Sequence, residues 1–303
     1  MAPDDRGAAA GPWGSPVRPA RGAALVLVLW LIALLTAVIG AFALSARVEH
    51  MQQRVIGDDA IGQEYARAGL EYALHRLQPR AAQPAWVADG RRYRWTFDTR
   101  RIDLTILDEN GKINLNLADV SLLSAFLRAM GEAPDHAQQL AGAIVDWRDA
   151  DSLKQPGGGA ETPDYVAAGL PYGARNARFE TVGELQRVLG MEADLYARIE
   201  QMLTLYSRQA RPDPRFAAGP VLTALGLDAE RLLAERERAA AADEAGLPVT
   251  PLAGGSGTYS IESRATDERG RVSVLRAVVR MGSAGTPGTA YTVLRWEQGM
   301  AAR

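Results

Sequence analysis

The side chains best suited to chemistry lie in one acidic loop, residues 144–165, which holds five carboxylates. They are Asp146, Asp149, Asp151, Glu161 and Asp164. The Pro-Gly-Gly-Gly stretch at 156–159 predicts a chain that folds back, so that the two acidic groups can face each other. Carboxylate oxygens without His or Cys suit Ca²⁺, which takes 6–8 oxygen ligands. The spacing differs from that of an EF-hand, and a solvated acidic loop remains the alternative interpretation.

Paired carboxylates also perform glycoside hydrolysis, which makes a hydrolase a further hypothesis. The rest of the sequence offers no set of residues that would position a substrate. The sequence therefore predicts a protein that is not an enzyme.

The composition excludes several other kinds of site. The chain has 303 residues, of which 47% are hydrophobic and 23% charged, as expected of a folding chain. It has no Cys, which excludes disulfides and thiolate metal sites, and its three His are scattered at His50, His75 and His136. The net charge of −2 gives no reason to expect nucleic acid as a partner.

An uncharged apolar run covers residues 23–44. As a helix of about 1.5 Å per residue it would span a bilayer core of about 30 Å. A secretory signal peptide, cut near Ala46, is the alternative, but its apolar stretch would be shorter. Arg18 and Arg21 precede the run, which favours an N-terminus in the cytoplasm and the bulk of the chain outside.

The remaining pattern predicts a helix followed by a divided sheet. Helical spacing continues after the membrane segment up to Pro79. Alternating residues at 93–97 and 102–106 predict two strands, and three more are predicted at 258–266, 271–281 and 291–296. The residues between these two groups of strands have helical periodicity, so a helical domain interrupts the sheet.

The helical block contains an internal repeat. Residues 188–200 resemble residues 224–235, and a weaker copy begins at Ala129; each predicts a helix that ends at Gly and is followed by another helix. Such helix-hairpin-helix units can bind DNA phosphates. Residues 112–207, however, carry 8 Lys and Arg against 13 Asp and Glu, a net charge of −5 (8 − 13). The acidic charge favours a packed helical bundle over a membrane-anchored nucleic-acid-binding protein of the competence type.

Several motifs together resemble one known family. They are Arg21-Gly22 before an apolar run, Asp-Glu-Asn-Gly-Lys-Ile-Asn-Leu-Asn at 108–116, Asp-Trp-Arg-Asp-Ala-Asp at 146–151, Asn-Ala-Arg-Phe-Glu at 176–180 and Tyr-Thr-Val-Leu-Arg-Trp at 291–296. From residue 15 onwards the chain resembles the type II secretion system protein K family, the large minor pseudopilins of the general secretion pathway.

The resemblance implies an α+β fold with a long N-terminal transmembrane helix, a pseudopilin domain with an antiparallel sheet, and a large inserted all-α domain of helix-hairpin-helix or SAM-like type. The implied boundaries are a prepilin-type leader at 1–22, a transmembrane helix at 23–44, its continuation at 45–79, the pseudopilin β region at 80–111 and 243–303, and the insertion at 112–242.

The resemblance also implies processing by a prepilin peptidase. Cleavage is expected between Gly22 and Ala23, with methylation of Ala23. Most pseudopilins carry Glu at the fifth mature position, but this chain has Leu27, as K-type members typically do. The leader is 22 residues long and contains acidic residues, which departs from a purely basic leader.

A calcium cofactor and defined partners follow from the same resemblance. The expected calcium ligands are Asp149, Asp151, Glu161 and Asp164, with Asp146 next. The expected partners are the minor pseudopilins of I and J type. The expected place is the tip of a pseudopilus on the periplasmic side of the inner membrane, where the protein would help to initiate the filament and support protein export.

Overall fold

A computed structural model describes residues 21–78, 85–244, 255–282 and 291–300 of the chain. Most of the predicted leader therefore lies outside the described residues. The backbone of Gly22 and Ala23 lies within the first helix, and the cleavage between them remains a prediction. The chain divides into two units, residues 1–58 and 59–303, and each is described by itself.

The fold is α+β, as predicted. The helices are α1 (Arg21–Leu77), α2 (Val120–Ala129), α3 (Pro134–Arg148), α4 (Thr162–Ala167), α5 (Ala193–Ile199), α6 (Gly219–Ala224) and α7 (Ala229–Glu244). The strands are β1 (Asp89–Phe97), β2 (Arg100–Asp108), β3 (Ile113–Asn114), β4 (Leu203–Thr204), β5 (Thr258–Thr266), β6 (Val272–Met281) and β7 (Tyr291–Met300). Short 3₁₀ helices occupy Glu109–Gly111, Val182–Arg187 and Glu200–Met202.

The first helix continues beyond the apolar run and ends two residues before Pro79, as the sequence predicts. Its segment Leu25–Leu44 has a mean hydropathy of 2.8, and none of it is buried. Among the described residues, this is the one helix that is long and apolar enough to cross a membrane.

The predicted division of the sheet is confirmed. Five antiparallel strands lie in the order β1-β2-β5-β6-β7, so β2 pairs with β5 although about 150 residues of chain separate them. Alternate residues of β2, namely Ile102, Leu104 and Ile106, face inwards and are fully buried. The last turns of α1 cover this inner face with Leu70 and Leu74.

Close contact between α1 and the sheet depends on glycine. A Cβ atom on Gly69 would lie 2.3 Å from the Ser263 Oγ and 2.7 Å from the Ile102 Cγ2. Helix α1 can therefore lie this close to β2 and β5 only because residue 69 has no side chain.

We expect Gly69→Leu to lower the free energy of unfolding by about 3 kcal/mol, because the added side chain has no space between helix and sheet. Chemical denaturation of the full chain in detergent measures this. Gly299→Leu is the matched control, since nothing lies within 4 Å of a Cβ atom at Gly299. Equal stability of the two variants would contradict the close packing.

The inserted helices form a second core. Phe126, Leu140, Ile144, Tyr165 and Leu185 are among its buried members. The predicted repeats are present: Gly131, Gly190 and Gly226 have φ angles of 98°, 89° and 75° and each precedes a new helix. The first helix of the unit around Gly190 is a 3₁₀ helix, a difference that the sequence pattern did not indicate.

The Asn-Leu-Asn motif at 114–116 makes two contacts that stabilise the inserted domain. Strand β3 pairs in parallel with β4, which joins the start of the inserted domain to residues about 90 positions later. The Asn116 side chain pairs with the backbone of Phe179, accepting from its N–H at 2.8 Å and donating to its carbonyl at 2.9 Å. This motif therefore helps to hold in place the segment that follows the acidic loop.

Candidate metal centre

The acidic loop folds back onto helix α3. Asp149 directly follows the end of α3, and Glu161 directly precedes α4. The return is possible because Gly142 faces the loop without a side chain: a Cβ atom there would lie 1.9 Å from the Gly158 carbonyl oxygen. The Pro-Gly-Gly-Gly stretch thus has the effect that the sequence predicts.

Three carboxylates meet where the loop returns. Asp146, Asp149 and Glu161 each offer an oxygen, and these atoms lie within 4.8 Å of one another. Asp146 is fully buried, Glu161 is 3% exposed and Asp149 is half-buried. The two acidic groups of the loop therefore face each other.

Backbone amides fix the orientation of the deepest carboxylate. Asp146 accepts hydrogen bonds from the N–H groups of Gln155 at 3.1 Å and Ala160 at 2.9 Å. Gly159 leaves room for this arrangement, since a Cβ atom there would lie 2.1 Å from the Asp146 Oδ2. The loop backbone therefore holds Asp146 in one position.

Two buried oxygens of the cluster lack a hydrogen-bond partner within the described residues, Asp149 Oδ1 and Glu161 Oε1. A buried acceptor without a partner costs about 1–3 kcal/mol, and more when it is charged. A cation bound among the three carboxylates would satisfy both atoms. The donor set is all oxygen, so it fits Ca²⁺ better than a transition metal.

Electrostatics support the same conclusion. Burial raises the pKa of Glu161, and the neighbouring Asp146 and Asp149 raise it further. Burial also raises the pKa values of Asp146 and Asp149, each with an added contribution from the next acidic residue. Three carboxylates that disfavour one another's charge form a site in which a cation relieves the repulsion.

The structure places the other two predicted ligands outside this group of three. Asp164 forms an ion pair with Lys154 at 2.6 Å, which lowers the pKa of its carboxyl, and it also accepts from the backbone N–H of Glu161. Asp151 is exposed and accepts from the N–H of Leu153 at 2.8 Å. Their assignment as ligands stays a prediction.

Sequence reasoning missed two residues that shape the site. The Gln155 side chain donates to the Asp149 Oδ2 at 3.3 Å, in addition to its backbone bond to Asp146. Arg148, although adjacent to Asp149, points away and donates to the carbonyls of Leu115 and Ala118. In the sequence Arg148 lies between acidic residues, which would suggest an ion pair. In the structure its side chain instead joins helix α3 to the start of the insertion.

Comparisons with known proteins agree on one family. The model of the family described as type II secretion system (T2SS), protein K, matches residues 100–208, which include the carboxylate cluster. Relatives described as type II secretion system protein K come from Klebsiella pneumoniae, with 29% identity over 201 residues (59% of this chain, 60% of the relative), and from Pseudomonas aeruginosa, with 26% identity over 230 residues (69% and 68%). A third, from Pectobacterium carotovorum, is 38% identical over 73 residues, 24% of this chain and 22% of that protein. The matches thus span less than two thirds of the Pectobacterium and Klebsiella relatives.

A solved structure has a similar fold. It is described as the GspK-GspI-GspJ complex from the enterotoxigenic Escherichia coli type 2 secretion system. The matched chain superposes with a TM-score of 0.51 at 18% identity, covering 84% of this chain and 99% of that one. At this identity the likeness concerns the fold.

The candidate membrane helix, the antiparallel sheet and the helical insertion define a single-pass membrane-anchored α+β protein. With the family-model match over residues 100–208 and the curated relatives, the chain is similar to the type II secretion system protein K family.

Proposed function

We propose that the chain is a minor pseudopilin at the tip of a type II secretion pseudopilus. There it assembles with minor pseudopilins of I and J type, initiates the filament and supports protein export. The match of residues 100–208 to the protein K family model and the similarity to the Pseudomonas relative carry this proposal. The GspK-like fold adds support, because that neighbour was solved together with GspI and GspJ. In this role the protein is a structural component without catalytic activity.

The proposed location is the inner membrane, with the N-terminus in the cytoplasm and residues after the apolar helix in the periplasm. The exposed apolar segment Leu25–Leu44 supports the anchor, and Arg18 and Arg21 before it support the orientation. A prepilin peptidase would cut between Gly22 and Ala23. Intact-mass analysis after co-expression with the peptidase tests this: a chain that begins at methylated Ala23 supports it, and one that begins near Ala46 contradicts it.

The assembly proposal is tested by co-expression of the tagged full chain with the I- and J-type pseudopilins of the same organism. A stable complex of all three, recovered from detergent extracts, is the expected result. Replacing this chain by an unrelated single-pass protein provides the control. Recovery of this chain without either partner would contradict the proposal.

The nucleic-acid-binding alternative gains nothing from the family match. The inserted domain is acidic, and its helix-hairpin-helix units pack against one another in a hydrophobic core. An acidic surface repels phosphate.

We also propose that the cluster of Asp146, Asp149 and Glu161 holds a calcium ion. When bound, the ion would supply the charge that neutralises the three carboxylates and would tie the loop to helix α3. The unpartnered oxygens of Asp149 and Glu161 support this proposal.

We expect Ca²⁺ to raise the thermal unfolding temperature of the full chain, and Glu161→Gln to remove most of that increase. Binding at a concentration 100 times the Kd stabilises the folded state by about 2.7 kcal/mol. Asp164→Asn is the matched control and should keep the increase, because Asp164 is paired with Lys154. A chain that does not respond to Ca²⁺ would contradict the cofactor, and an equal loss in both variants would contradict the three-residue cluster.

A further inference from the structure

Within the described residues, β1 and β7 are the two edge strands of the sheet, and the β1 edge has the more distinctive surroundings. Strand β1 pairs with β2 on one side, and none of the described segments pairs with its other side. Residues 92–97 of β1 are in regular register with β2, after an irregularity between Asp89 and Arg92. The outer backbone groups of this segment could therefore accept another strand.

The outer face next to this edge has an excess of positive charge. Asp103 is shared by Arg94 at 3.5 Å and Arg101 at 3.1 Å. Glu262 is likewise shared by two guanidinium groups, those of Arg264 at 3.2 Å and Arg276 at 2.7 Å.

Arg92 is exposed and makes no ion pair within the part of the chain that the structure describes. It lies opposite Thr105, and Arg94 lies opposite Asp103. These five guanidinium groups thus surround two carboxylates, a net charge of +3 (5 − 2) for the group, and the next two charges on this face, Arg295 and Glu297, neutralise each other; the whole chain has a net charge of −2.

A hollow of about 580 Å³ opens over these charges. Its lining comprises Arg92, Tyr93, Arg94, Arg101, Asp103, Thr105, Glu262 and Arg264. Exposed guanidinium groups bind carboxylates through paired hydrogen bonds. The hollow therefore has room for acidic side chains next to β1.

The inner face of the same edge presents aromatic rings. Tyr93, Trp95 and Phe97 alternate with the arginines along β1. Tyr93 stacks on Trp86 at 4.1 Å and Trp95 on Tyr72 at 4.2 Å between ring centroids. All three β1 rings keep exposed surface, and Phe97 is 46% exposed, so apolar side chains of an added strand would find aromatic neighbours here.

We propose that the β1 edge binds an extended segment of another protein that adds a sixth strand to the sheet. The segment carries acidic residues at alternate positions, facing Arg92 and Arg94, and apolar residues between them, facing the β1 rings. Cross-strand pairs of opposite charge and of aromatic with apolar side chains stabilise such an addition.

The pattern of charges favours a protein strand over a polyanion. Side chains on one face of a strand repeat about every 6.6 Å, so alternate acids match the spacing of Arg92 and Arg94. A uniform layer of phosphates would also face Asp103 and Glu262, which disfavours lipid headgroups and nucleic acid. A second copy of this chain that pairs β1 with β1 would bring arginines together, and the other edge strand, β7, offers a single acidic residue, Glu297, instead of alternating acids.

The test uses the full chain in detergent and a labelled ten-residue peptide in which Glu and Val alternate. The peptide should bind, and hydrogen exchange at residues 92–97 should slow when it does. The double variant Arg92→Glu with Arg94→Glu should weaken binding at least tenfold. The control is Arg128→Glu, an exposed arginine of the insertion, which should bind as the unmutated chain does.

A second pair, Arg92→Gln with Arg94→Gln, separates charge loss from misfolding, and its unfolding temperature should equal that of the unmutated chain. A peptide of the same composition with its five Glu in one block should bind at least tenfold more weakly. Equal binding of the two peptides, or binding without slower exchange in β1, would overturn the strand addition.

Three further results would also overturn the proposal. The first is stronger binding to vesicles of anionic lipid than to the alternating peptide. The second is salt-sensitive self-association that the double variant abolishes, which would assign the edge to a second copy. The third is the absence of any binding by the alternating peptide.

Discussion

Replacing Glu109 by Ala should lower the free energy of unfolding by about 3–5 kcal/mol, because it removes the carboxylate that neutralises the largely buried ammonium group of Lys112 and leaves that group only the Ser260 hydroxyl. Glu109 is 1% exposed and pairs with the Lys112 Nζ at 2.8 Å. It also accepts hydrogen bonds from Thr204 in β4 and Ser260 in β5. One carboxylate therefore joins the inserted domain to the central strand of the sheet.

The measurement is chemical denaturation of the full chain in detergent. Glu109→Gln should cost less than Glu109→Ala, because its single amide oxygen can still accept from Thr204 or Ser260, while its amide nitrogen can only donate to the other hydroxyl. The double variant Glu109→Met with Lys112→Met should recover most of the stability, since an apolar pair can replace a buried ion pair. If Glu109→Ala unfolds at the same denaturant concentration as the unmutated chain, the network contributes nothing to stability.

This network also indicates where sequence reasoning reaches its limit. The residue types at 108–111, Asp-Glu-Asn-Gly, are typical of a turn, and the structure has a 3₁₀ helix at Glu109–Gly111. The burial of Asp108 and Glu109 could not be predicted, because their partners are distant in sequence: Ser256 is 148 residues from Asp108, and Thr204 and Ser260 are 95 and 151 residues from Glu109. Adjacent carboxylates are normally exposed unless such partners exist.

Elements set by local patterns were predicted well. The strand at 258–266 has the predicted bounds, because alternation of apolar and polar residues is visible in the sequence itself. The helix-turn-helix repeats depend on glycines in the left-handed region, such as Gly190 and Gly226, which are also local signals. The two-residue strands β3 and β4 have no pattern of their own, so their pairing was missed.

The candidate metal centre was predicted in part, because it depends both on a local pattern and on contacts between residues distant in sequence. The acidic loop and its fold-back were predicted from residue types, since glycine permits the return of the chain. Two facts decide which carboxylates come together. Asp146 lies on the buried face of its helix, and Lys154 forms an ion pair with Asp164, which is therefore not in the cluster. The sequence alone could not distinguish Asp164, which forms an ion pair with Lys154, from Glu161, which forms none with any residue that the structure describes.

Gly142→Ala should both destabilise the chain and weaken its response to Ca²⁺. The added Cβ atom would lie 1.9 Å from the Gly158 carbonyl oxygen and 3.1 Å from the Gly159 Cα, so the loop backbone has to move away from helix α3. Alanine favours a helix over glycine by about 1 kcal/mol, whereas overpacking of this kind costs about 1–3 kcal/mol. The overpacking should therefore prevail.

The loss of calcium response follows from the position of the clash. Gly158 and Gly159 lead directly into Glu161, and a shift of this backbone separates Glu161 from Asp146. The rise of the unfolding temperature with Ca²⁺ should consequently be smaller in Gly142→Ala than in the unmutated chain. Gly183→Ala is the matched control, since the nearest atoms to its Cβ position lie 3.8 Å and 3.9 Å away. A Gly142→Ala variant that is more stable than the unmutated chain and keeps its full calcium response would mean that helix propensity dominates and that the loop does not pack against α3.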